Sequence, residues 1–132
     1  MKPSSPMLLL SLLLVAGGCA SVSPSPGALT PTELRSDPNL YDGKEVSVVA
    51  WVSLEVEDAN LWSDLKDMRD LRGIHCLSLL NYEELWVERA RLNRRRVEIV
   101  GTFRKDVDSS SGRVRFSACS KAAIEPRSVR VL

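Results

Sequence analysis

Residues 45–56 read EVSVVAWVSLEV and alternate. Val46, Val48, Ala50, Val52, Leu54 and Val56 fall on one side of an extended chain. Glu45, Ser47, Val49, Trp51, Ser53 and Glu55 fall on the other. A period of two is the mark of a strand that is apolar on its inner face and mostly polar on its outer one. Strands in globular domains usually run to about five or six residues. The length of this one is the strongest fold signal in the chain.

Upstream, Tyr41-Asp42-Gly43-Lys44 reads as a turn, with Gly43 free to take a positive φ. Before it, Thr30-Pro31-Thr32-Glu33-Leu34 carries a helix start. Thr30 is the cap, Pro31 suits the first helical position, and Glu33 completes a capping box. Asp37-Pro38 should stop that helix.

Downstream, Glu57 to Asn60 turns the chain, and a short second strand begins at Leu61-Trp62-Ser63. Residues 64–72 are charged and read either as a loop or as one or two helical turns. Ile74 to Leu80 is a third strand. Asn81 with Glu84 gives a second capping signature, opening a helix through about Leu92, with Leu85 and Leu92 on one face. Arg95 to Phe103 alternates again, with Val97, Ile99, Gly101 and Phe103 inward. After a loop over 106–112, Arg113 to Ile124 is the expected last strand, with Val114, Phe116 and Ala118 inward. The tail EPRSVRVL has no strong assignment.

The chain opens MKPSSPMLLLSLLLVAGGC. A cationic start precedes an apolar run too short for a membrane-spanning helix, which needs about 20 residues. The run and the following Ala16-Gly17-Gly18-Cys19 resemble a bacterial lipoprotein signal peptide with its lipobox. That resemblance implies removal of the signal, lipidation of Cys19 and a palmitate-type anchor. It also implies an address at the periplasmic face of the outer membrane, since Ala20 is not an inner-membrane retention residue. The expected organisation is 1–19 signal peptide and lipobox cysteine, 20–29 a Ser/Pro-rich disordered tether, and 30–132 a single domain.

Removing residues 1–18 from the 132-residue chain leaves 114, enough for one domain. That mature part has 17 basic and 17 acidic side chains, so total charge gives no reason to expect a polyanion. The distribution is uneven. Residues 20–88 carry 5 basic and 13 acidic side chains, residues 89–132 carry 12 and 4. Cross-strand pairing between the halves would neutralise both; the alternative is a basic face left open for an anionic ligand.

Long strand, strand, strand, helix, strand, strand is the order read above. That order, the segment YDGKEVSVVAWV and the helix between strands three and four resemble small bacterial periplasmic OB-fold proteins and lipoproteins over about residues 36–125. The expected fold is therefore mainly β, a five-stranded OB-fold-like Greek-key barrel with a helix between strands 3 and 4 and a short N-terminal helix. A small β-sandwich with one helix is the runner-up. With Cys19 lipidated, Cys76 and Cys119 remain, either as two thiols or as one disulfide bond. The OB-fold sets its third and fifth strands side by side, and residue parity then turns both sulfurs outward, so a bridge is expected.

Chemistry finds little to stand on. His75 is the one histidine and lies in a strand, and no zinc spacing, phosphate loop or nucleophile elbow appears. Glu55, Glu57 and Asp58 read as a solvated acidic turn rather than a cation site. No catalysis, cofactor or metal is expected. Trp51 and Trp62 are candidate outer-face platforms, although Trp51 packed under the amino-terminal or the second helix is the plainer reading. Trp86 reads as a core plug. Arg94, Arg95 and Arg96, with Arg89 and Arg91, either complement a helix end or form an anion patch. The expected function is a non-catalytic, lipid-anchored envelope module for a protein, peptide or glycan partner. The alternative is an anionic-ligand or nucleic-acid binder using Arg89 to Arg96; nucleic acid is improbable in that compartment.

Overall fold

The computed structural model describes residue 18, residues 21–107, residue 119 and residues 121–132. The elements in order are α1 (Pro31–Ser36), α2 (Pro38–Tyr41), β1 (Glu45–Glu55), β2 (Asp58–Trp62) and α3 (Leu65–Asp70). A 3-10 turn (Gly73–His75) follows, then β3 (Cys76–Leu79), α4 (Glu83–Val87), α5 (Arg89–Leu92), β4 (Arg96–Arg104) and β5 (Ala123–Val131).

The long strand organises the rest because it has two neighbours. Its first half, Glu45 to Trp51, pairs antiparallel with β4, and its second half, Trp51 to Glu55, pairs antiparallel with β2. β3 pairs with β2, and parallel with β5; β5 pairs with β4. The five-stranded mixed sheet thus closes in a ring, in the order β1-β2-β3-β5-β4. One ring replaces the two packed sheets that a sandwich would require.

The inner face carries Val48, Ala50, Val52 and Leu54 of β1, with Leu61, Leu77, Leu79, Val97, Ile99, Phe103 and Ile124 from the other strands. Leu34 of α1, Leu85 of α4 and Leu92 of α5 join the same cluster. Each such side chain contributes about 1.5–3 kcal/mol on leaving water. The expected inner face of β1 is correct through Leu54. Val56 departs from it: the chain turns at Val56-Glu57, and Val56 is 80% exposed.

The capping box of α1 forms as read, with Glu33 N–H donating to Thr30 Oγ1 and Thr30 N–H to the Glu33 carboxylate. Asp37 ends α1, and Pro38 then opens one further turn of helix rather than a loop. Gly43 does take a positive φ, of 74°. The second capping signature fails. Asn81 has a φ of 45°, its side chain donates to Glu125 instead, and the helix begins at Glu83 and breaks at Glu88 into two short pieces.

The last strand also differs from expectation. β5 is Ala123–Val131, so the unassigned tail supplies most of it, with Val129 and Val131 packed against the core. The alternation there is broken by a bulge where Val100 faces Ser128 but Gly101 faces Pro126. Proline, which lacks the N–H, is tolerated at such a place. Of the expected inward residues, Val114, Phe116 and Ala118 lie outside the described residues, as does the expected span 108–118.

Residues 20–29 were expected to be a free tether, and most of that stretch is docked. Leu29 runs parallel beside Val48, donating to Ser47 O at 2.8 Å and accepting from Val49 N at 2.8 Å. The chain then crosses the outer face of β1 to β4. There Ser25 gives its N–H and its hydroxyl to the Glu98 carboxylate, both at 2.6 Å. Arg130 of β5 reaches Glu98 at 2.9 Å and the Ser23 carbonyl at 2.9 Å. This strap explains why Glu98, outward by parity, is only 4% exposed, and why Val49 is buried on a face expected to be wet.

Burial alone would raise the Glu98 carboxyl, but the hydrogen bonds from Ser25 and then Arg130 outweigh it and hold it at about 2 against an ordinary 4.5. A depressed carboxylate stabilises the fold fully above its unfolded value and loses that contribution as pH falls through the folded one. We therefore expect the strap to contribute about 2 kcal/mol at neutral pH, after allowance for screening near the surface, and to lose it between about pH 4.5 and pH 2. Thermal melts should show Glu98→Gln less stable than wild type at pH 7 and converging on it at pH 2. An unchanged difference at both pH values would refute the latch.

Candidate ligand-binding groove

Two aromatic clusters lie outside the ring, and they differ in access. The first sits where β1, β2 and β3 run side by side. Trp51 faces Trp62, and Trp62 faces Cys76, in direct register. Cys76 and Cys119 are joined in a disulfide bond, with Cα atoms 5.4 Å apart. Both are buried, as is Trp62 at 0% exposure, and Met68 of α3 packs over the group with Trp51. The Trp62 indole N–H donates to Ser53 Oγ at 2.9 Å, and Ser53 donates on to Asp58 at 2.9 Å.

Trp62, expected as an outer-face platform, is instead a core residue of a small outer cluster and offers no surface to a ligand. Trp51 is half-buried and packs against this outer cluster, which Met68 of α3 also covers. The outward parity of Cys76 is as expected. Cys119 pairs with it from the segment before β5 and not from within a strand.

The second cluster is open. The end of β1 and the β1–β2 turn place Glu55, Val56 and Glu57 across from Tyr82, which precedes α4, and Glu83 and Trp86 of α4, and the six line a groove of about 340 Å³. Glu57 holds a left-handed φ of 62°, which aims Val56 outward at the end of the hairpin. Trp86 is half-buried and lies edge-on to Tyr82, with ring centroids 6.5 Å apart. The Arg89 guanidinium stands 4.8 Å from the Trp86 ring centroid and donates to the Trp86 carbonyl. Trp86 is thus a groove wall. Leu85 and Leu92 are the buried plugs, and Trp86 also packs partly against the same core. Just beyond it, Val87 is 81% exposed.

The acidic turn does not converge on an ion. Asp58 folds back to accept from Ser53 and Asn60, while Glu55 pairs with Arg94 at 3.3 Å. Among the described residues no group of three metal-ligating side chains comes together. Arg91 pairs with Glu88 at 3.1 Å. Arg89 and Arg91 are engaged locally, Arg94 reaches across to Glu55 of β1, and Arg95 and Arg96 are exposed. Among the described residues, Arg127 with Glu45 at 2.8 Å and Arg94 with Glu55 join distant parts of the acidic and basic halves, and Arg91 with Glu88 joins them at their boundary.

His75 has a holding role. Its Nδ1 is 2.9 Å from Thr32 Oγ1, itself 2.6 Å from Ser63 Oγ, which ties α1 to the end of β2. Beside it, Asp64 caps α3 and is held below the usual carboxylate range, chiefly by the Asp67 N–H. Asp67 is pushed up, by burial first and by the Asp64 charge second.

Among the described residues no helix is long and apolar enough to cross a membrane. No family model and no curated relative matches the chain. Among solved structures, asparaginyl-tRNA synthetase from Pyrococcus horikoshii, complexed with asparaginyl-adenylate, matches at 18% identity and a TM-score of 0.40. The match covers 70% of this chain and only 20% of the synthetase. At that level the likeness carries no argument about function.

Proposed function

We propose that this chain is a lipid-anchored cell-envelope module with an OB-fold barrel, which binds a protein partner without catalysing a reaction. The groove between the β1–β2 turn and α4 is the observation that carries this reading. It exposes an aromatic wall and a valine at one rim, the composition of a small recognition site. The OB-fold assignment draws support from the ring order and from β3 lying beside β5. The anchor draws support from the Met1–Cys19 sequence, and a periplasmic address at the outer membrane accords with the Cys76–Cys119 bond. A glycan would use the same aromatic wall; the exposed aliphatic Val56 and Val87 favour a protein surface.

Two arms test the proposal in cells. A photo-crosslinking residue at position 56 should give a discrete adduct that disappears in Trp86→Ala, while the same residue at exposed position 74 should give none. Palmitate label should be lost in Cys19→Ala. An adduct indifferent to Trp86→Ala would remove the groove from the account, and label persisting without Cys19 would remove the anchor. Binding of an anionic ligand through Arg94, Arg95 and Arg96 is the competing outcome, and it would weaken steeply with added salt.

A further inference from the structure

We infer that the partner enters the groove with a basic side chain, lysine or arginine, as its central contact. The inference rests on the groove being the binding site proposed above and adds the chemistry of the occupant. Three of the six lining residues are carboxylates, Glu55, Glu57 and Glu83. Glu55 is offset by Arg94. Glu57 and Glu83 are exposed and make no ion pair among the described residues.

Three kinds of occupant can be compared on those facts. An acidic segment would bring like charge against Glu57 and Glu83. A purely apolar segment filling the groove would strip water from both carboxylates and give nothing back, which is costly. A basic side chain answers both. Its aliphatic stem lies along Val56, as long cationic side chains do on apolar surface. Its charged head then reaches Glu57 or Glu83 beside the rings of Tyr82 and Trp86. The molecule already shows that this tryptophan accepts a guanidinium, since Arg89 occupies one position over its ring.

The test uses two capped dodecapeptides, identical in a valine–glycine frame except that one carries three lysines and the other three glutamates. Each is titrated into the full processed chain in neutral detergent, with the Trp86 indole resonance as the readout. The lysine peptide should shift that resonance and bind at least tenfold more tightly than the glutamate peptide. Glu57→Gln combined with Glu83→Gln should weaken the lysine peptide fivefold or more; both positions are exposed, so the fold is kept. Equal binding of the two peptides, or a glutamate preference, overturns the inference. If neither peptide binds while position 56 still crosslinks in a Trp86-dependent way, the cationic contact is wrong and the groove stands. If neither peptide binds and no crosslink forms, both readings fall.

Discussion

Replacing Cys119 by alanine should lower unfolding stability by about 3–4 kcal/mol in urea titrations under oxidising conditions. The loop closed by Cys76 and Cys119 spans 43 residues, and the chain-entropy model assigns roughly that stabilisation to a crosslink of this length. The location adds a second signal. Both sulfurs are buried against Trp62, so losing the bond opens the outer cluster that Trp51 and Met68 cover. Tryptophan emission should shift to the red with the loss of the crosslink. The chain before β5 should also become accessible to protease, because Cys119 is a covalent tie of that segment to β3. A loss below about 1 kcal/mol, with emission unchanged, would show that the cluster holds without the bond.

Gly101→Ala should cost about 3 kcal/mol or more, a large effect for the addition of one methyl group. A Cβ at this position would run into the Glu125 carbonyl oxygen, with the carbonyl carbon and Ile124 Cγ2 at 3.0 Å. The nearest obstacle is backbone, so no rotamer change relieves it, and overpacking of this kind ordinarily costs 1–3 kcal/mol even where side chains can yield. Relief requires β4 and β5 to separate at the bulge between Val100 and Gly101, where the ring bends. Hydrogen exchange should therefore rise first at Thr102 and Phe103 in the variant. Wild-type protection there, at wild-type stability, would mean that the corner has slack the structure does not display.

These two sites differ in how far the sequence announced them. β1 was legible because its even-numbered positions from Val46 to Leu54 are all apolar, and a one-residue slip would turn that whole set outward. The α1 start was legible because a capping box is local chemistry, decided within four residues. The disulfide followed once the strand order was assumed. Gly101 read only as one more inward position, since the approach of Glu125 depends on a bulge that local alternation does not encode. The same bulge hid β5, where Ile124 and Val129 are both inward but out of phase.

The groove was illegible for a different reason. Glu55, Glu57, Tyr82, Glu83 and Trp86 come from two elements whose meeting is set by the ring. Trp86, read from a continuous helix, pointed to the core. It packs only partly against the core and also walls the groove, and nothing between Asn81 and Leu92 signals the break at Glu88, since no glycine or proline lies there. Glu98 shows the same limit. A lone glutamate on a polar strand face gives no sign that a serine 73 residues away will cover it.

The latched segment from Ser23 to Leu29 has a consequence for the proposed anchor. With that segment bound to β1 and Glu98, only four residue steps separate Cys19 from the held chain, a leash of about 14 Å at full stretch. Released back to Leu29, the leash would more than double, to about 35 Å. A domain anchored at Cys19 as proposed would, on the short leash, sweep only a small area close to the lipid.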